Sequence, residues 1–161
     1  MAASETTTST HRLSSVKGEH LFKVAGHSLI NSTSISVRSK PFRVGGHDWD
    51  VQYFPCGNIY AGGQHTSVYV NLKNASEDKV RANVSFCLQA DPGSPAMGVK
   101  NILDCCTTDF SAKRKSTGFS RFTKKTDLAT SGCLKDDCLV IKCTVEVISA
   151  NRFEGHRQWR I

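Results

Sequence analysis

The residues of this chain that could carry chemistry are seven cysteines, six histidines and fourteen carboxylates, and their spacing excludes most of what such groups do. Cys56, Cys87, Cys105, Cys106, Cys133, Cys138 and Cys143 form no C-x-x-C pair, and their number is odd. A disulfide framework or zinc site needs the opposite pattern. Cys138 and Cys143 stand five apart on one strand pattern, which sends their side chains to opposite faces and prevents them from sharing an ion. The expectation is free thiols, with Cys87 and Cys143 as small strand residues and no metal or cofactor. No H-E-x-x-H and no serine-centred nucleophile elbow occurs, so the chain is not expected to be an enzyme.

Recognition chemistry is what remains, and it concentrates between Thr117 and Val147. An extended ligand gains affinity from main-chain hydrogen bonds and specificity from alternate side-chain pockets, and a strand beside a Gly-Phe step offers both. Gly118 would admit a close backbone approach, and Phe119 would serve as an interface anchor. Phe122 is expected on the opposite face, in the core. A second feature is charge: net +7, with Lys113, Arg114, Lys115, Arg121, Lys124 and Lys125 in one strip and Arg152, Arg157 and Arg160 in the tail. A basic nucleic-acid-associated protein is therefore the alternative reading. No zinc finger, RNP aromatic pattern or glycine-rich clamp accompanies the charge, which makes it the weaker one.

The elements that must position these residues are strands. In 138–147, Leu139, Ile141, Cys143, Val145 and Val147 alternate with Lys142, Thr144 and Glu146; in 80–88 every even residue is apolar; Val68, Val70 and Leu72 form a third inner row. Further strands are expected at Leu21–Val24, Ile35–Arg38 and His47–Phe54, the last preceded by Ser39–Val44 and a Gly45-Gly46 turn or bulge. Asn74–Lys79 reads as a hairpin turn, Asp91–Pro95 as a loop, and Thr126–Thr130 as a short helical turn. Trp49 and Phe42 are expected beneath the sheets. Seven or eight short strands with turn signals between them indicate an antiparallel β-sandwich.

A chain of 161 residues, 39% apolar and 22% charged, holds one globular domain. Residues 1–17, rich in Ser and Thr, are expected to be a disordered arm, because they offer too little apolar surface to offset the entropy of ordering; folding would begin near His20. Neither a signal-peptide h-region nor an apolar run of bilayer length is present, which points to the cytoplasm or nucleus.

The ordered motifs Leu21–Val24, Lys40–Trp49, Val68–Leu72, Val80–Phe86, Gly118–Phe122 and Leu134–Leu139 resemble the MATH (meprin and TRAF homology) domain, most closely that of plant proteins pairing MATH with BTB and related to the speckle-type POZ protein. The resemblance covers about residues 18–148 and leaves 149–161 as a short basic tail with no BTB domain. It implies an all-β fold, an eight-stranded antiparallel β-sandwich of TRAF/MATH-like topology, that binds short extended peptides in a shallow groove. In the speckle-type POZ protein that groove is lined by aromatics and by a Lys-acidic-Trp-Gly-Phe element. The element aligns with Lys115-Ser116-Thr117-Gly118-Phe119, so Lys115, Gly118 and Phe119 match while Ser116 and Thr117 depart. Two more aromatic lining positions fall on His65 and Val84, with Phe110 as a displaced aromatic wall. The implied partners are proteins bearing Ser/Thr-containing motifs, with cullin-3 recruited only where a BTB domain is supplied. The implied role is substrate recognition for a cullin-3 BTB ubiquitin ligase, or that of a stand-alone MATH protein.

Overall fold

Strict two-residue alternation in three segments dictates two sheets that press their apolar rows together. The computed structural model describes residues 3–89 and 104–150, with backbone alone for Asp104 and Cys105. The expected Asp91–Pro95 loop and the arginines at 152, 157 and 160 lie outside the described residues. In chain order the strands are β1 (Leu13–Ala25), β2 (Val37–Arg38), β3 (Phe42–Val44), β4 (His47–Phe54), β5 (Ser67–Leu72), β6 (Val80–Gln89), β7 (Asp104–Phe110), β8 (Ser116–Phe119) and β9 (Cys138–Ala150). A 3-10 turn occupies His27–Leu29, and a six-residue helix α1 occupies Lys125–Thr130 where a helical turn was expected.

One sheet has the order β1-β9-β6-β7, and the other β2-β4-β5-β8 with β3 also on β4. The strand pairs are antiparallel. Nine strands among the described residues occupy eight strand positions, because β2 and β3 run along the same edge of β4. Arg38 faces Gln52 and Phe42 faces Trp49, so four steps on one side match three on the other. The extra residue is a bulge at Ser39–Pro41. Ser39 spans it: its N–H donates to the Val51 carbonyl and its Oγ accepts from the Val51 N–H, both at 2.9 Å. Pro41, lacking an N–H, fits an interrupted edge.

The core lies between the sheets. Trp49, Val51, Tyr53, Val68 and Val70 from one sheet meet Ala82, Val84, Phe86, Leu139, Ile141, Cys143 and Val145 from the other, and all are sealed from solvent. Burial pushes the Cys143 thiol well above its usual range, so it behaves as a small apolar side chain. Two tight turns have paired left-handed residues, the geometry that matches the twist of a hairpin. They are Gly45-Gly46 between β3 and β4 and Asp136-Asp137 before β9.

Two expectations are corrected. The ordered fold begins at Leu13 and not near His20, so residues 13–17 of the supposed arm are strand; they pair with Ala150 back to Glu146. Their order comes from a backbone ladder and from polar contacts such as Ser15 Oγ to Glu146 Oε2 (3.1 Å), which need no apolar side chains. The Ile35–Arg38 strand shrinks to Val37–Arg38.

Candidate functional site

The five-stranded sheet has an outer face opposite its core row, and alternation decides what stands there. Along β4 the outward residues are Asp50, Gln52 and Phe54, and along β5 they are Tyr69 and Asn71; on β8 they are Ser116 and Gly118. Register aligns them as cross-strand rows, Asp50–Asn71–Ser116 and Gln52–Tyr69–Gly118. Among the described strands β8 pairs with β5 alone, so this face ends at an open sheet edge.

Tyr69 dominates the face. A Cβ on Gly118 would collide with the Val68 carbonyl and would lie 2.6 Å from Tyr69 Cα and 2.8 Å from Tyr69 Cδ1. The phenol ring therefore lies across Gly118. It reaches Ser120, whose Oγ is 2.6 Å from the Tyr69 hydroxyl, and the same hydroxyl accepts from Asn58 Nδ2 at 2.7 Å. Phe54 meets the ring edge-on at a centroid distance of 6.0 Å. Asn58 also binds the Tyr60 N–H, and the loop carrying it exposes Ile59 and Tyr60. The result is a fixed aromatic platform beside a loop of solvent-facing apolar groups. Rigid amphipathic rings of this kind give contact area at little conformational cost.

The other end of the face is ionic. Asp50 is buried, with its carboxylate accepting from Asn71 Nδ2 at 2.8 Å and lying 3.4 Å from Lys73 Nζ and 3.9 Å from an Arg38 nitrogen. Gln52 is held by Arg38 on one side and donates to Ser36 Oγ at 2.9 Å. The polar side chains here are thus tied down by one another.

The residues that sequence comparison named are only partly brought together. Ser116, Thr117, Gly118 and Phe119 form β8, Lys115 precedes it in an exposed position, and His65 lies beyond the aromatic end in a bridge with Lys124. Val84 and Phe110 do not join them: both are fully buried between the sheets, Phe110 edge-on to Trp49 at 5.0 Å. A side chain sealed between the two sheets cannot line a groove on the outer face of one of them. Phe119 is also not a free anchor. It is half-buried and meets Phe86 edge-on at 6.0 Å, and Phe122 meets the same ring at 6.3 Å, so the two converge where opposite faces were expected. The turn after β8 breaks the alternation between them. Thr117 points inward, where its hydroxyl accepts from Thr108 Oγ1 at 3.1 Å and closes the rim between β7 and β8. Gly118 makes room for Tyr69 rather than for a foreign backbone.

Sequence reasoning missed Tyr69, Asn58, Ser120, Asp50, Asn71 and Lys73. The signal for Tyr69 was present: it sits between Val68 and Val70, so the alternation that buries them sets an aromatic ring on the wet side. Among the described residues, no three His, Cys, Asp or Glu side chains are grouped to hold a metal ion, and no helix is long and apolar enough to cross a membrane.

A family model for the MATH domain matches residues 19–145. The chain is 36% identical over 160 residues to BTB/POZ and MATH domain-containing protein 3 of Arabidopsis thaliana, covering 95% of this chain and 39% of that protein. It is 32% identical over 155 residues to protein 4 of the same series, covering 92% and 33%. The chain thus spans between a third and two fifths of the length of these relatives. Among solved structures, TRAF5 of Notothenia coriiceps superposes with a TM-score of 0.52 at 17% identity, covering 80% of this chain and 72% of the other, a likeness of fold.

Proposed function

This chain belongs to the MATH domain family, and from that premise we propose that it captures extended peptide segments of protein targets on the outer face of its five-stranded sheet. The observation that carries the reading is the Tyr69 ring, locked over Gly118 by Ser120 and Asn58 at the open edge of β8. A peptide laid along that edge would place one apolar side chain against Tyr69 and the Ile59–Tyr60 loop. Its polar side chains would meet Ser116, Asn71 and the ionic end. Of the positions the resemblance assigned, Ser116, Gly118 and Lys115 stay in this proposal directly, Thr117 and Phe119 support it from beneath, and His65 flanks it.

Such a module would act as the target-recognition part of a larger protein. The relatives it resembles carry BTB/POZ in their names, so the reading extends to the substrate-binding part of a cullin-3 BTB ubiquitin ligase adaptor. Without a linked BTB domain the same face would bind targets without delivering them. The experiment is a peptide-library screen on the wild type, Tyr69→Ala and Phe119→Ala. Tyr69→Ala is expected to abolish selected binding while the fold persists. Equal binding by wild type and Tyr69→Ala would move the site elsewhere. Association that collapses with rising salt and ignores Tyr69 would favour the nucleic-acid alternative.

A further inference from the structure

We propose that the ionic end of this face selects an anionic side chain, a phosphorylated Ser/Thr or an Asp/Glu, about four residues along the peptide from the side chain seated at Tyr69. The inference rests on the peptide reading above and narrows its ligand.

Charge balance is the ground for it. Asp50 is a single buried carboxylate between two cations, Lys73 and Arg38, whose side chains remain 38% and 52% exposed. It fixes them in place but cancels only one of the two charges. The β5–β8 register runs to Asn71–Ser116, and one step on the Leu72 N–H donates to the Lys115 carbonyl at 2.7 Å, so a third cation, Arg114, follows at the same end as Lys73, on the turn it closes with Ser111. Arg114 is exposed, as are Lys113 and Lys115 beside it. Two of the carboxylates near this corner are engaged elsewhere. Asp48 pairs with Arg43 at 3.2 Å and Asp109 with Arg81 at 2.8 Å. Glu77 and Asp78 lie on the turn that Ser76 ties to Ala112, and among the described residues neither forms an ion pair with Lys113, Arg114 or Lys115.

The spacing follows from the strands. From Tyr69 to Lys73 is four residues, roughly 14 Å at ~3.4 Å per residue, so an extended ligand seated on the ring brings its fourth neighbour to the cations. A phosphate there carries about −2 charge and three acceptor oxygens, and the Arg114 guanidinium can take two of them at once. A carboxylate offers less charge and is expected to gain less. The cations are solvent-facing, so the preference should weaken with salt, though the apolar contact should not.

The test uses short synthetic peptides in matched sets, each with its Ser or Thr unmodified, phosphorylated or replaced by Glu, read by fluorescence anisotropy. The wild type is expected to bind the best phosphorylated peptide about tenfold more tightly than its unmodified twin, with the Glu form between. The double variant Lys73→Ala/Arg114→Ala should lose that preference and bind the phosphorylated and unmodified peptides equally. Arg114→Gln, which removes no side-chain partner among the described residues, should lose part of the preference with no change in melting temperature. Indifference or harm from phosphorylation, with Tyr69-dependent binding intact, overturns this inference and leaves the peptide reading standing. A phosphate preference that survives the double variant overturns it as well, since the anion then binds elsewhere. Absence of Tyr69-dependent binding to any peptide overturns both. A single-stranded oligonucleotide bound through Lys73 and Arg114 with no dependence on Tyr69 would assign the cations to nucleic acid instead.

Discussion

The two faces of the five-stranded sheet are made from the same strands and obey opposite rules. On the inner face Trp49, Val51, Tyr53, Val68, Val70 and Leu72 are held by packing against the second sheet. On the outer face Asp50, Gln52, Tyr69 and Asn71 are held by hydrogen bonds and ion pairs to one another and to Ser36, Ser120 and Lys73. The inner row makes the sheet stable. The outer row is organised without being covered, which leaves a rigid surface that a partner can use at little ordering cost. If this division is right, substitutions on the two faces should separate stability from binding.

The largest effect is expected on the inner face. Trp49→Ala removes a fully buried ring that donates to the Val44 carbonyl at 3.1 Å and packs on Phe110, and should cost about 3–5 kcal/mol in chemical denaturation. Peptide affinity should be lost only as far as the protein unfolds. Gly118→Ala stands between the faces: its methyl has no room beside Val68 and Tyr69, so a loss of about 1–3 kcal/mol is expected, accompanied by displacement of the Tyr69 ring and hence of binding. NMR shifts of Tyr69 and Ser120 would report it. A neutral result would mean that the strands part easily at this point.

Smaller effects sharpen the contrast. Asp50→Asn keeps a hydrogen-bond acceptor for Asn71 and frees Lys73 and Arg38, whose heads already reach solvent. It should cost about 1–2 kcal/mol in thermal unfolding and, by removing a negative charge, strengthen binding of an acidic peptide. The pH dependence is set elsewhere, at the end of the sandwich. His27 is half-buried, with Nε2 2.8 Å from the Tyr53 hydroxyl, and burial lowers its pKa below 6.5 even though Asp137 acts the other way. The unfolded chain then holds the proton more tightly than the native one. Stability should be full above about pH 6.5, fall as pH drops toward the native pKa, and level off below it with respect to this group. Melting curves from neutral to mildly acidic pH should show this slope in the wild type and a reduced one in His27→Gln. Asp137 adds a loss at lower pH, because Ser28 hydrogen bonds depress its pKa in the fold. The smallest effect is predicted for Lys113→Ala, exposed and with no side-chain partner among the described residues, at within about 0.5 kcal/mol.

The inner rows of β5, β6 and β9 were legible because burial imprints a two-residue period. Strand β7 was not, since Asp104-Cys105-Cys106-Thr107-Thr108-Asp109 carries little apolar contrast and takes its order from the ladder with β6. The N-terminal half of β1 failed for the same reason. On the candidate face, the resemblance pointed to the segment that holds Ser116 and Gly118 but not to the residues beside them, because Gln52, Tyr69 and Asn71 come from strands whose register no local pattern reveals. Val84 and Phe110 were misplaced because alignment to a groove position says nothing about which way a side chain points in this chain.

By itself the amino-acid order determined the class of the fold, its buried rows and its turn positions, since these depend on periodicity and on local backbone preference, and its motifs carried the family resemblance. Which residues share the outer face was decided only by tertiary pairing. Strand order, the Ser39–Pro41 bulge and the close approach of Tyr69 to Gly118 arise from contacts between segments far apart in the chain, and those are settled when the two layers close on each other.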